Sequence, residues 1–471
     1  MAERYDVVVV GARCAGATLA HDLAQAGLSV ALVDRARFPS DTLSTHFFQT
    51  PGVLTLQRLG LLAEVRATGA SFIDHIDYRI EDVAGVDPNF TLPDAPGGSL
   101  CVRRTLLDAA LVRVAEEAGA HVRAESRVTS LVRSGERVTG VTYSDAAGRD
   151  RQIDATLVVG ADGTGSTVAR LVGARRYHVL PNQRFAYWGY FEGATLPDLP
   201  TFLFHRFDDD AFYGFPCDAG LYLAAVLPSL DVLSSFASDL DEAFDATVAR
   251  CEALAAILAG ASRVGPLRGM ANYPLYFRES AGPGWSLVGD AGHFKDPAAG
   301  QGMCDAFRQA ERLAGDIIAG LGGTARLDDI LIDWWAWRDA DAIEMHWLAA
   351  DLGAAGPVPA VLVEFLRDLQ GSPDRLWDFW ALFHRRTRPS EVFTPERFTA
   401  VAERVAGTSL GPQVMAELAA SSELDEHRRR LVASPCFVED AVHLNKASEV
   451  RRRPERNRNV LIGDAGRVEA S

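Results

Sequence analysis

The chain has 471 residues, 48% hydrophobic and 23% charged, with a formal net charge of -16. That balance supports a large buried core in two to three domains and excludes a disordered, collagen-like or repetitive chain. The acidic excess argues against coating nucleic acid or anionic membranes, and without a run of about 18 to 20 apolar residues nothing is expected to span a bilayer.

Acidic residues come early (Glu3, Asp6), which argues against a signal peptide. Tyr5–Val10 is a β-branched run that predicts a buried strand, and Gly11-Ala12-Arg13-Cys14-Ala15-Gly16 follows at once. An Ala/Leu-rich helix to about Ala26 and a second strand, Ser29–Val33, come next, closed by Asp34 with Arg35 beside it. Strand, Gly-rich turn, helix, strand, acidic residue is the order of a dinucleotide-binding unit. In such a unit Gly11 permits the tight turn, Gly16 lets the helix approach the strand, and the helix N-terminal amides face a pyrophosphate. Asp34 would accept from a ribose hydroxyl. Arg13 stands where the middle glycine is usual, and its charge can serve the phosphates directly. Gly11, Arg13, Cys14, Ala15, Gly16, Asp34 and Arg35 are therefore assigned to cofactor binding. Taken alone, the motif also fits a nucleotide-free βαβ core.

From Arg127 the pattern changes to period two. Val128–Val132, Val138–Tyr143 and Arg151–Ala155 read as strands joined by Gly-containing turns. Leu157–Gly160 is then an apolar strand entering Ala161-Asp162-Gly163-Thr164-Gly165-Ser166. Between Arg176 and Asn272 aromatic and polar residues alternate, which predicts an antiparallel sheet joined by part of Phe72–Leu100. Trp285–Val288 is another apolar strand, ending in Gly289-Asp290-Ala291-Gly292-His293. Pro297, Gly300-Gln301-Gly302-Met303 and a helix from Cys304 to about Leu321 follow. Beyond Leu327 the periodicity predicts helices Trp334–Leu348, Val361–Leu369, Arg375–His384, Arg397–Ala406 and Val414–Ala420. The basic run after Glu449 is interrupted by acid and reads as a poorly ordered tail. Six scattered cysteines with no C-x-x-C pair read as free thiols of a cytoplasmic protein.

With three glycine-and-aspartate motifs in this order, the chain resembles the class A, para-hydroxybenzoate hydroxylase-like FAD-dependent monooxygenases over roughly residues 5 to 320. The resemblance implies an α/β fold: a Rossmann-like βαβ domain with a three-stranded meander, an antiparallel substrate-covering sheet and a helical C-terminal region. It divides the chain into a discontinuous FAD-binding domain (1–71, 101–175, 280–325), a sheet domain (72–100, 176–279), helices (326–450) and a tail (451–471). It also implies that Asp162 touches the FAD chain, that Asp290 bonds the ribityl, and that Gly300, Gly302 and Met303 offer amides to the isoalloxazine. Arg104 would contact the pyrophosphate, Val128 the adenine and Thr45 the cofactor. Pro297 would border the reacting face of the ring, and His46 is a candidate for facing it. The sequence departs from the family pattern in having Cys304 for an asparagine, Gln309 for an aspartate and Arg170 one residue late.

The cofactors implied are FAD, NAD(P)H and dioxygen as co-substrate, with no metal. Reduced flavin would activate oxygen as a C4a-hydroperoxide and hydroxylate, epoxidise or insert oxygen into a bulky aromatic or polyketide-like molecule. Tyr187, Trp188, Phe204 and Phe215 are read as substrate-facing, although alternating aromatics also serve as sheet core. A geranylgeranyl reductase-like flavoenzyme, which reduces isoprenoid double bonds, is a rival reading, and a non-catalytic flavin-binding protein is another. No nucleic-acid or membrane partner is expected, and the protein is expected to be a monomer or homodimer.

Overall fold

The computed structural model describes residues 3–42, 44 and 46–433. Its first sheet is built on Glu3–Val10, which lies between Asp150–Gly160 and Val30–Val33, with Trp285–Leu287 and His121–Arg123 outside them. These pairings are all parallel. A parallel sheet is covered on both faces, which explains the unbroken valine run. Val7 and Val9 point into the core formed with the helices Cys14–Gln25, Arg104–Glu117 and Gly302–Leu321. Val8 and Val10 point the other way, toward the meander strands. The meander consists of Arg127–Ser134, Arg137–Ser144 and the first half of Asp150–Gly160, paired antiparallel. Arg151–Ala155 and Leu157–Gly160 are therefore one strand, because the in–out alternation continues through the half-buried Thr156.

The second sheet runs in the order Ser262–Met270, Ala186–Glu192, Tyr222–Val226, Asp210–Pro216, Thr201–Phe207, His75–Ile80, Val83–Pro88. It is antiparallel except between Thr201–Phe207 and His75–Ile80, which pair in parallel. The strict period of two sorts its aromatic residues. Trp188, Tyr190, Phe202, Phe204, Tyr213 and Phe215 share the inner face. Phe185, Tyr187, Phe191, Phe207 and Phe212 lie on the outer face, under three short helices spanning Leu233–Leu258. Each buried ring contributes on the order of 1.5–3 kcal/mol by leaving water.

The C-terminal helices divide their packing between the two sheets. Leu327–Leu352 sets Trp334 and Trp335 into the core of the first sheet. Ala360–Gln370, Pro373–Phe383 and Pro395–Val405 instead pack over the inner face of the second sheet. Among the described residues no helix is long and apolar enough to cross a membrane. The tail expected at 451–471 lies outside the described residues.

Candidate functional site

The three glycine-and-aspartate turns, distant in sequence, touch one another. A Cβ on Gly11 would fall 2.4 Å from the Ala161 carbonyl oxygen, which together with its φ of 103° leaves room for glycine alone. A Cβ on Gly16 would fall 1.7 Å from the Gly11 carbonyl oxygen, so helix Cys14–Gln25 sits hard against the turn. On Gly289 it would fall 3.0 Å from the Ala15 Cβ, and this joins the third turn to the first. Gly163, Gly165 and Gly302 differ: a Cβ there would meet nothing within 4 Å. At these three positions the backbone is therefore open to an approaching group.

Charged groups gather around these turns. Asp34 is buried at the end of its strand, where its two oxygens accept from the Ala12 and Ala36 N–H groups, each at 2.7 Å. Arg35 beside it is exposed. The Ser126 N–H donates to the Asp34 carbonyl at 2.8 Å, which brings the buried Val128 to the same end of the sheet. Arg13 turns toward Asp108, and it also donates to Ser40 Oγ and the Asp41 carbonyl, both at 3.1 Å. Arg104 donates to the other oxygen of Asp108 at 2.8 Å, with the Cys14 thiol 3.8 Å from that oxygen. Burial pushes this thiol up to about 12, so Cys14 stays protonated.

Asp290 is half-buried, and its carboxylate accepts no hydrogen bond from the described residues. Burial raises it to about 6 against the opposing pull of Lys295 and Arg104. A carboxylate in this condition is short of donors, which the hydroxyls of a ribityl chain would supply. Asp162 is already occupied: it caps helix Thr167–Val172 by accepting from the Thr167 N–H at 2.6 Å and from the Ser166 hydroxyl. Gly300, with φ of 62°, ends the short turn Pro297–Ala299, and Gly302 and Met303 begin the 20-residue helix Gly302–Leu321. Gln309 on that helix accepts from the Gly289 N–H at 3.0 Å, while the Cys304 thiol lies 3.7 Å from the Gln49 carbonyl. Thr45 lies outside the described residues.

His46 is fully buried with φ of 58°, a strained position for a histidine that its contacts must hold. Its Nδ1 accepts from the Arg104 N–H at 3.1 Å, and its Nε2 meets the Tyr190 hydroxyl. Burial and the nearby Arg104, Arg103 and Arg268 hold its pKa well below the usual histidine range. The ring is therefore neutral, with its proton on Nε2. It links the first sheet's helix Arg104–Glu117 to the second sheet.

Between the inner face of the second sheet, the Pro297–Gly300 turn and the C-terminal helices lies a partly open cavity. Phe47, Phe202, Phe204, Tyr213 and Phe215 form its aromatic wall, with Phe47 stacked on Phe215 at 4.5 Å. Pro297–Gly300 forms its floor, and Trp380, Phe383 and His384 form its roof. The Tyr213 hydroxyl donates to the Ala298 carbonyl at 3.0 Å and so ties wall to floor. Phe204 and Phe215 thus line the cavity, as does Pro297. Trp188 shares their sheet face but is buried away from the cavity wall. Tyr187 must be corrected: it stacks on Phe236 at 5.2 Å on the outer face, since adjacent strand residues point opposite ways. Lys295 pairs with Asp305, one turn into the next helix.

Several residues of this site carry no sequence motif. Asp108 is foreshadowed only by its spacing of four from Arg104. Gln49, Asn89, Trp380 and His384 reach the cavity through long-range packing.

Comparison with known proteins agrees with this geometry. A family model described as an FAD binding domain matches residues 4–189. The chain is 30% identical over 347 residues to a menaquinone reductase of Mycolicibacterium smegmatis, covering 69% of this chain and 78% of that protein. It is 33% identical over 172 residues to the 6-methylpretetramide 4-monooxygenase of Streptomyces rimosus, covering 36% of this chain and 40% of that enzyme. Among solved structures, a flavin-dependent brominase superposes with a TM-score of 0.72 at 20% identity, covering 85% of this chain and 98% of that one.

Proposed function

Since the chain belongs to the para-hydroxybenzoate hydroxylase-like family of FAD-dependent flavoenzymes, we propose that it is an NAD(P)H-driven monooxygenase oxygenating a bulky aromatic or polyketide-like small molecule. The observation that carries this reading is the aromatic cavity whose floor is the Pro297–Gly300 turn. In this reading the Gly11–Gly16 turn, Arg13 and Arg104 hold the pyrophosphate of FAD. Asp34 and Val128 hold its adenosine end, Asp290 its ribityl, and Gly300, Gly302 and Met303 its ring. When bound, the flavin supplies the redox chemistry, taking two electrons from a nicotinamide and passing them to dioxygen.

The protein contributes placement and dryness. Amides at the start of helix Gly302–Leu321 favour negative charge beside them, and a 20-residue helix adds its dipole. Pro297 has no N–H, so this part of the floor offers no donor on which water could anchor. The rings of Phe47, Phe202 and Phe215 exclude water from the space where oxygen transfer takes place and hold a flat substrate against the floor. Tyr213 keeps floor and wall in register.

Mixing the FAD-loaded protein with NADH or NADPH, oxygen and a panel of phenols and polycyclic aromatics tests the reading. It expects nicotinamide oxidation that accelerates with substrate and a product heavier by one oxygen. No oxygenated product from any member of the panel contradicts it. A second reading, a FAD-dependent reductase of isoprenoid double bonds, draws support only from the long alignment with a relative that is named a reductase. A product heavier by two hydrogens, formed without oxygen, would favour it. A flavin that no reductant bleaches would favour a non-catalytic protein over both.

A further inference from the structure

One edge of the cavity is polar, and its hydrogen-bond directions are fixed by the chain itself. The Asn89 amide nitrogen donates to the Ile73 carbonyl at 2.7 Å and to Ser99 Oγ at 3.0 Å. Ser99 has one proton, and it goes to Gln49 Oε1 at 2.8 Å, so the orientation of Asn89 is settled. The amide oxygen of Asn89 then faces His384 Nε2 at 3.4 Å and can only accept. The proton of a neutral His384 ring therefore lies on Nε2, and Nδ1 carries a lone pair. His384 is 2% exposed, and burial alone lowers it to about 3, so no second proton reaches Nδ1 near neutral pH.

Among the residues that line the cavity, His384 is the one with a buried side-chain polar atom, Nδ1, that lacks a partner among the described residues. The position is held firmly. The His384 N–H donates to the Ala381 carbonyl at 3.2 Å, and its ring lies 5.2 Å from that of Phe90. The following residue, Arg385, takes a φ of 60° and donates to Asp341 at 2.7 Å. An acceptor fixed in this way on a residue that lines an apolar cavity is completed by an O–H and opposed by an ether or carbonyl oxygen.

We propose that His384 is a specificity-determining residue that accepts a hydrogen bond from a hydroxyl group of the aromatic substrate. This rests on the reading of the cavity as the substrate site. It makes the C-terminal helical region, rather than the second sheet alone, the part that reads substrate chemistry.

The test is a binding measurement on FAD-loaded protein without nicotinamide, so turnover plays no part. Titration with 1-naphthol and with 1-methoxynaphthalene is followed by calorimetry and by the flavin difference spectrum. The wild type should bind 1-naphthol about tenfold more tightly, the worth of one hydrogen bond of about 1.4 kcal/mol. His384→Phe should abolish that preference while keeping affinity for 1-methoxynaphthalene, and His384→Gln should keep part of it. Should His384→Phe fail to retain FAD, the wild-type comparison and His384→Gln still decide. Equal wild-type affinities, or a preference that survives in His384→Phe, overturn the proposal and leave the aromatic cavity standing. If neither compound binds to protein that holds FAD, both the proposal and the substrate reading beneath it fall.

Discussion

Asp108, fully buried one helical turn after Arg104, takes the Arg104 guanidinium on one carboxylate oxygen at 2.8 Å and that of Arg13 on the other. One carboxylate thus orients two cations at the mouth of the Gly11–Gly16 turn. The three groups together keep a net positive charge beside that turn, as a pyrophosphate requires. Removing Asp108 would strand two largely buried guanidinium groups without their anion. Asp108→Asn should therefore cost about 3 kcal/mol of stability and weaken FAD retention. Urea unfolding and flavin release on dilution measure these, and an unchanged unfolding midpoint would show that the clamp does not carry the turn.

The free Asp290 carboxylate makes cofactor binding depend on pH. In the free protein burial raises this group to about 6. Hydroxyls of a bound ribityl would donate to its ionised form and lower it again, so binding below about pH 6 must release a proton. FAD affinity should therefore rise with pH up to about 6 and level off above it. Asp290→Asn should bind more weakly and lose that slope. Fluorescence titration of apoprotein with FAD between pH 5 and 8 reads both, and a slope that persists in Asp290→Asn would assign it to another group.

Sheet-face alternation yields a paired prediction. Phe204 lines the cavity, whereas Tyr187, on a neighbouring part of the same sheet, stacks on Phe236 outside it. Phe204→Ala should raise the KM for an aromatic substrate about tenfold, as expected for loss of roughly 1.4 kcal/mol of contact. Tyr187→Phe should leave KM and kcat unchanged. Equal effects of the two would mean that the substrate does not occupy the inner face.

These contrasts also show what could be read from the sequence. The three turns were legible because glycine has no substitute where backbone meets backbone, as Gly16 against Gly11 demonstrates. The strand runs were legible because a covered parallel sheet leaves no position for polar residues. The face of each aromatic residue was harder. Tyr187 and Trp188 are neighbours in sequence, and only the packing of their strand in the sheet decides which one shares the inner face. The roof helix was legible but its place over the cavity was not, since His384 meets Asn89 across 295 positions of chain and neither residue belongs to a motif. The Lys295–Asp305 pair is hidden in the sequence for a related reason. A turn and the helix after it fold back so that the nearest acid in space is not the nearest in sequence.

The roof should govern how well reduction is coupled to product formation. Phe383 is half-buried over the cavity and packs on Phe379 and Trp380. Phe383→Ala should open the space to water at modest cost in stability and raise hydrogen peroxide release per nicotinamide oxidised severalfold, with FAD binding unchanged. Peroxide and product assays run together measure the ratio. An unaltered ratio would remove the C-terminal helices from the chemistry.

The most direct measurement is a single turnover of the NADPH-reduced, FAD-loaded protein with ¹⁸O₂ and 1-naphthol, with the product analysed by mass spectrometry. Monooxygenation predicts a product that carries one ¹⁸O atom drawn from the gas, with the second oxygen atom appearing in water. A product that carries no label, or peroxide as the sole fate of the oxygen with the naphthol and every other aromatic tried left untouched, would contradict it.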